Sequence, residues 1–154
     1  MKNPKISVIM SVYNSEKFLS EAIESILNQT FKDFEFIIIN DCSTDSSLEI
    51  IEQYKKKDKR IVLIENKKNI GLTKSLNIGL KIAKGKYIAR MDTDDVSIQE
   101  RFQIQYDFLE KNKDIFLVGT GAYDIDEQGN PLKVKKVYLG IDKIKEMLPS
   151  RNVF

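Results

Sequence analysis

Histidine and tryptophan are absent from this 154-residue sequence, and cysteine occurs once, at Cys42. Without histidine there is no serine-histidine or cysteine-histidine nucleophile and no imidazole metal site. A lone cysteine excludes an internal disulfide and fits a reducing compartment. Long apolar runs are missing too: no stretch reaches the roughly 20 residues that a membrane helix needs. The N-terminal apolar run follows Lys2 and Lys5 but ends by Tyr13-Asn14, with no small-residue cleavage site of a signal peptide. Nor is charge of one sign in excess. Twenty-five basic residues face 23 acidic ones, a net charge of +2, which gives no argument for a nucleic-acid partner. The expected location is the cytoplasm. Lysines at Lys55 to Lys59 and Lys133 to Lys136 read as a solvated helix end and a polar strand edge. Either could also rest on anionic headgroups, leaving peripheral association with the inner membrane face open.

What is present is the composition of a globular protein, and 1–154 reads as one domain with a real core. Short apolar runs that do not alternate, Ile6 to Met10, Phe34 to Ile39, Ile61 to Ile64 and Tyr87 to Met91, predict buried strands. Between them lie helical stripes. Phe18, Leu19, Ala22, Ile23, Ile26 and Leu27 form one after the start signal Asn14-Ser15-Glu16. Leu48, Ile51 and Tyr54 form a second, capped by Asp45, and Leu72, Leu76, Leu80 and Ala83 a third, ended by Gly85. Four strand-helix alternations predict an α/β fold with a mainly parallel sheet and helices on both faces. A further helix over Gln99 to Leu109 and two strands, Ile115 to Tyr123 and Leu132 to Val137, complete the reading, with a turn at Asp126 to Asn130.

The most informative stretch is Asp92-Thr93-Asp94-Asp95, placed where the fourth strand should open into a loop. Close carboxylates repel unless a cation or solvent intervenes. On an extended backbone Asp92 and Asp94 would lie about 6 to 7 Å apart and point the same way, able to share one ligand assembly. Mg²⁺ or Mn²⁺ suits such a pair, because it takes one or two carboxylates and completes its shell with water and substrate phosphates. A solvated acidic turn, with Asp95 or Ser97 capping the segment from Ile98 onward, needs no cation.

The usual phosphate cradles are missing: Ser11-Val12-Tyr13-Asn14 stands where a G-x-G-x-x-G would follow the first strand, and no P-loop occurs. A bound nucleotide diphosphate would need a cation instead. The other strand ends supply matching parts. Tyr13 offers an aromatic face for a base, Asp41 a carboxylate for a base or ribose donor, and Asn69 and Gly71 a loop that lets backbone approach a ligand. Each alone is equally a core-edge aromatic or a turn former; together they would converge on one crevice.

From Lys5 to about Tyr123 the sequence resembles the family 2 nucleotide-sugar glycosyltransferases of the GT-A fold. The matching blocks are Ile6 to Asn14, Ser25-Ile26-Leu27-Asn28-Gln29-Thr30, Phe34 to Asp45, Asn69-Ile70-Gly71-Leu72 with Ser75-Leu76-Asn77, Gly85-Lys86-Tyr87-Ile88, and Asp92 to Asp95. The resemblance implies a Rossmann-like domain that binds a nucleoside-diphosphate sugar, with a UDP-type donor favoured. It implies that Ser11, Tyr13 and Asn14 border the nucleotide and that Asp41 hydrogen-bonds the base. It places Asp92 against the ribose and donor sugar, Asp94 on Mn²⁺ or Mg²⁺, and Asp95 and Arg101 at the donor pocket or its supporting loop. The implied reaction is an inverting transfer to a hydroxyl of a saccharide or lipid-linked acceptor, in polysaccharide or glycoconjugate synthesis.

Two departures matter. Gln99 stands where the family often has proline, and the chain ends at Phe154, short of the region that in the family binds the acceptor and carries the general base. The chain therefore reads as a donor-binding part with no general base assigned. An inactive nucleotide-sugar-binding module shares every feature above. Asp92-Thr93-Asp94-Asp95-Val96 also fits the aspartyl-nucleophile pattern of haloacid dehalogenase-like phosphatases, although three strand-helix units precede it here.

Overall fold

Strands without alternation need cover on both faces. In the computed structural model, which describes residues 3–134, the two central strands find it, while the run from Tyr87, expected to be buried, leaves Ile88 47% exposed at an edge. The sheet has four parallel strands. These are β1 (Ile6–Val12), β2 (Phe34–Asn40), β3 (Ile61–Glu65) and β4 (Tyr87–Arg90), in the order β3-β2-β1-β4. Only Ser11 in β1 and Glu35 in β2 escape full burial. The helices are α1 (Glu16–Leu27), α2 (Ser47–Lys57), α3 (Leu72–Ile82) and α4 (Arg101–Lys111). The first three strands step outward, and the chain then returns to set β4 on the far side of β1. Right-handed crossovers place α1 and α2 on one face and α3 on the other. Accordingly α1 contacts α2, and α3 contacts β1 and β2. The expected α/β architecture, a parallel sheet with helices on both faces, is the one observed.

Register explains the core. Ile9 pairs with Ile37, so by strand alternation Ile9, Ile37 and Ile39 share a face, where Val62, Ile64, Leu76 and Ala83 pack on them. Each such buried isoleucine stabilises by about 1.5 to 3 kcal/mol relative to exposure. On α1, Leu19, Ala22, Ile23 and Ile26 are buried as the stripe predicts. On α3 the predicted stripe is half wrong. Leu76 and Ala83 pack on the sheet, but Leu72 and Leu80 are 50% and 48% exposed, while Ser75 and Gly79 are buried. The reason is distance: a Cβ at Gly79 would lie 2.6 Å from Ile9 Cγ2, so only a small residue lets the helix backbone sit this close.

Three further expectations shift. β4 ends at Arg90, and α4 begins at Arg101, two residues after the expected start. No strand covers Ile115 to Ala122; the strand there is β5 (Tyr123–Ile125), paired antiparallel with β6 (Pro131–Val134). Phe116 is 93% exposed, and among the described residues the apolar run before β5 has no partner strand. The expected turn forms, with Asp126 accepting from the backbone N–H of Gln128 and Asn130. The part of the last predicted strand beyond Val134 lies outside the described residues. The chain divides into two compact units between Ile104 and Gln105. No helix among the described residues is long and apolar enough to cross a membrane.

Candidate functional site

All four strands of the sheet are parallel, so their C-terminal ends open on one edge, the usual place for a ligand crevice in such folds. A cleft of about 260 Å³ lies there, lined by Ser11, Tyr13, Ser15, Asp41, Asn69, Gly71, Leu72 and Thr93. Five of the residues singled out from sequence, Ser11, Tyr13, Asp41, Asn69 and Gly71, are thus brought together. Asn14, Asp92, Asp94 and Asp95 do not line it. The ring of Tyr13 is 49% exposed at this edge, available for stacking.

Asp41 is the most constrained of these groups. It is 1% exposed, and its carboxylate accepts from Asn66 Nδ2 at 2.7 Å, Ile70 N at 3.0 Å and Gly71 N at 2.8 Å. Burial pushes its pKa up and is the largest single influence. The donors Ile70, Asn66, Gly71 and Ser75 together outweigh it and hold the carboxyl below its ordinary value. Asp41 therefore anchors the loop between β3 and α3. That loop reaches the helix through Gly71, whose φ of +89° with ψ of 159° is open essentially to glycine alone. With Ser75 counted, the donors match the roughly four lone-pair sites of a carboxylate, so a ligand would take the place of one of them.

Asn14 ties the loop after β1 to the loop after β2. Its backbone is left-handed, with φ of 48°, and its Oδ1 accepts from Thr44 N at 2.8 Å. Its own N–H donates to Ser43 Oγ. Below it, Asp45 accepts from the N–H groups of Glu16 and Ser47, the first residues of α1 and α2, and Glu16 accepts from Ser46 N in return. One anion at two helix N-termini is favourable electrostatics. Burial raises the Asp45 pKa, but these hydrogen bonds, Ser47 foremost, bring it below the ordinary value. The loops after β1 and β2 are thus clamped to each other, which fixes Tyr13 relative to Asp41.

The acidic turn departs from its expected geometry. Because β4 stops at Arg90 and a turn forms at Thr93-Asp94, Asp92 and Asp94 do not sit on one extended segment. Cations are already present. Arg90 donates through Nε and Nη2 to the two oxygens of Asp92, at 3.0 and 2.8 Å. Arg101 donates to the carbonyl oxygen of Arg90 at 3.0 Å and contacts Met91 Sδ at 3.6 Å. Burial lowers the Arg101 pKa, and the nearby carboxylates of Asp95 and Asp92 work against that. Asp94 is exposed and forms no ion pair among the described residues. No group of three or more acidic or cysteine side chains among the described residues is arranged to hold a metal. An exposed carboxylate at a turn nonetheless suits a hard cation that draws its other ligands from water and phosphate.

Ser97 does not cap a helix. It is buried, its N–H donates to Ser25 Oγ, and its hydroxyl accepts from Gln29. Gln29 is the residue that sequence reasoning missed. Fully buried at the end of α1, it donates to Ile98 O at 2.7 Å and accepts from Phe102 N at 3.0 Å, tying down the segment that follows the acidic turn. Nothing in a glutamine after a helix announces this. Arg90, by contrast, was visible as a basic residue two positions before Asp92.

Fold and cleft define a doubly wound α/β domain with a cleft at its strand ends. Residues 7–151 match the family model described as glycosyl transferase family 2, and the chain belongs to that family. An uncharacterized glycosyltransferase of Methanocaldococcus jannaschii is 48% identical over 135 residues, 86% of this chain and 47% of the relative. The poly(ribitol-phosphate) beta-glucosyltransferase of Bacillus spizizenii is 43% identical over 97% of this chain and 24% of its own length. Among solved structures, Staphylococcus aureus TarS in complex with UDP superposes with a TM-score of 0.67 at 34% identity, covering 71% of this chain and 33% of that one. TarS has also been solved with UDP-GlcNAc. The chain spans about half the length, or less, of these relatives. Membership in this family removes the support for an aspartyl-phosphatase reading of Asp92.

Proposed function

We propose that this chain is the donor-binding part of an inverting glycosyltransferase that takes a UDP-type sugar donor and transfers the sugar to an acceptor hydroxyl. The observation that carries the reading is the convergence of Ser11, Tyr13, Asp41, Asn69 and Gly71 on one cleft at the strand ends. The likeness to TarS, itself solved with UDP, supports a uridine nucleotide. In this reading the base stacks on Tyr13, beside Ser11, and donates to Asp41 in place of one of its present donors. Asn69 and the Gly71 backbone meet the ribose side. The diphosphate lies toward Thr93, with Asp92 facing the donor sugar and Asp94 as the carboxylate that ligates Mn²⁺ or Mg²⁺. Asp95 and Arg101 hold the turn in place. When bound, the cation would neutralise the diphosphate and stabilise charge on the departing nucleoside diphosphate.

The acceptor class proposed is a saccharide or lipid-linked glycan in polysaccharide or glycoconjugate synthesis, at the cytoplasmic face of a membrane. The poly(ribitol-phosphate) transferase among the relatives supports it. The general base that would activate the acceptor is not assigned to any residue of this chain.

The test is thermal denaturation with UDP and Mn²⁺. At 100 times the dissociation constant the complex gains about 2.7 kcal/mol, a shift of several degrees. Asp94→Ala should lose the metal-dependent part of that shift. Unchanged metal-dependent stabilisation in this variant would remove Asp94 from the site.

A further inference from the structure

We propose that Arg90 is a positioning residue that withholds Asp92 from divalent cations, so that the acidic turn accepts a cation only together with the oxygens of a nucleoside diphosphate. The proposal rests on the donor-binding reading above and goes beyond it by assigning the coupling of cation and nucleotide to one ion pair.

The geometry is a two-pronged contact. Nε and Nη2 of Arg90 meet the two carboxylate oxygens of Asp92, at 3.0 and 2.8 Å, so a cation approaching either oxygen meets a positive charge already bound there. The second guanidinium, Arg101, is pinned beneath the turn by the Arg90 carbonyl and Met91, beside Asp95 and Asp92. Three carboxylates, Asp92, Asp94 and Asp95, thus stand against two guanidinium charges, leaving one net negative charge. Asp94 is the carboxylate without an ion pair among the described residues. A single carboxylate holds Mg²⁺ or Mn²⁺ weakly, because these ions give up water reluctantly. Diphosphate oxygens supply the missing ligands and charge. The Arg90 and Asp92 side chains are 53% and 40% exposed, so solvent screens the pair and it can open when a better partner for Asp92 arrives. Arg90 therefore acts as a threshold and not as a permanent block.

The experiment measures Mn²⁺ binding by the 154-residue chain from the electron paramagnetic resonance signal of the free ion, at low ionic strength, without and then with UDP. Arg90→Gln should bind Mn²⁺ alone about 5-fold more tightly than the wild type, the upper range for loss of an exposed ion pair. The double variant R90Q/D92N should return to the wild-type value. A gain of less than about 2-fold in Arg90→Gln, well under that range, overturns the proposal. So does a gain that persists in R90Q/D92N, since the effect would then bypass Asp92. Circular dichroism of both variants verifies the fold. The UDP arm separates the two claims. If UDP and Mn²⁺ together fail to bind the wild type, the donor reading falls, while the metal-only arm still decides whether Arg90 withholds Asp92.

Discussion

The backbone N–H of Gly71 donates to Asp41 Oδ2 at 2.8 Å, so the loop between β3 and α3 hangs on a carboxylate that ends a different strand. Two walls of the cleft are thereby one mechanical unit. Asp41→Asn replaces one accepting oxygen with a donor that must face Ile70 N–H or Gly71 N–H. The expected cost is about 2 kcal/mol, from one buried donor left unsatisfied. Urea denaturation checks it, and a change below about 0.5 kcal/mol, the range of ordinary surface substitutions, would show that the loop does not depend on this anchor.

Acid should release the same anchor. The folded-state pKa of Asp41 is depressed, so its contribution to stability is fully present above the unfolded value, about pH 4. It is lost as pH falls from there through the lower folded value. Asp45 and Asp58 are depressed as well, the latter chiefly by its hydrogen bonds with Arg60, and they act in the same window. Stability measured from pH 6 down to pH 3 should fall, and the slope should be shallower in Asp41→Asn. Parallel profiles for the two proteins would mean that Asp41 binds its proton equally in both states.

Two glycines should respond differently to alanine. A Cβ at Gly85 would press on the backbone of Ser7 and Ile6, 2.6 Å from Ile6 C, where nothing can turn aside. A Cβ at Gly79 would meet the methyl ends of Ile9 and Ile39, at 2.6 and 3.0 Å, which can rotate. Gly79→Ala should cost about 1 to 3 kcal/mol, the range for overpacking, and Gly85→Ala more than that. Equal costs would refute the distinction between backbone and side-chain clashes.

Gln29→Leu keeps the volume of the side chain but removes all of its hydrogen bonds. The N–H of Phe102 then loses its partner, while the Ile98 carbonyl keeps the N–H of Arg101, at a cost of about 1 to 3 kcal/mol. Because the affected segment follows the acidic turn, UDP binding in the presence of Mn²⁺ should weaken as well. Calorimetry at a temperature where the variant is folded checks this, and unchanged affinity would confine Gln29 to stability.

The sheet was legible because its central strands β1 and β2 are buried on both faces, which leaves unbroken apolar runs such as Phe36 to Ile39. The cleft was legible because parallel strands must all end on the same edge, so Tyr13, Asp41 and Gly71 could be placed together from their positions alone. What was hidden depends on neighbours distant in sequence. The run Ile115-Phe116-Leu117 has the composition of a strand, but a strand exists only where an edge accepts it. Leu72 and Leu80 match the helical period, yet the close approach permitted by Gly79 and Ser75 turned the core face away from them. Asp92 and Asp94 follow the spacing of a shared site, but the strand stops at Arg90, whose side chain then claims Asp92. Gln29 is polar and follows a helix, the usual place for a solvated residue. Only the segment from Ser97 to Phe102 folding over it makes it a strut.

The central claim is that the strand-end cleft binds a uridine nucleotide, and the most direct test is amide chemical-shift mapping with UDP and Mg²⁺, which keeps the sample diamagnetic. The largest shifts are expected at Ser11, Tyr13, Gly71 and Thr93, with smaller ones along the β3–α3 loop that Asp41 holds. Saturating UDP that leaves these amides unmoved, or that shifts only the hairpin of β5 and β6, would contradict it.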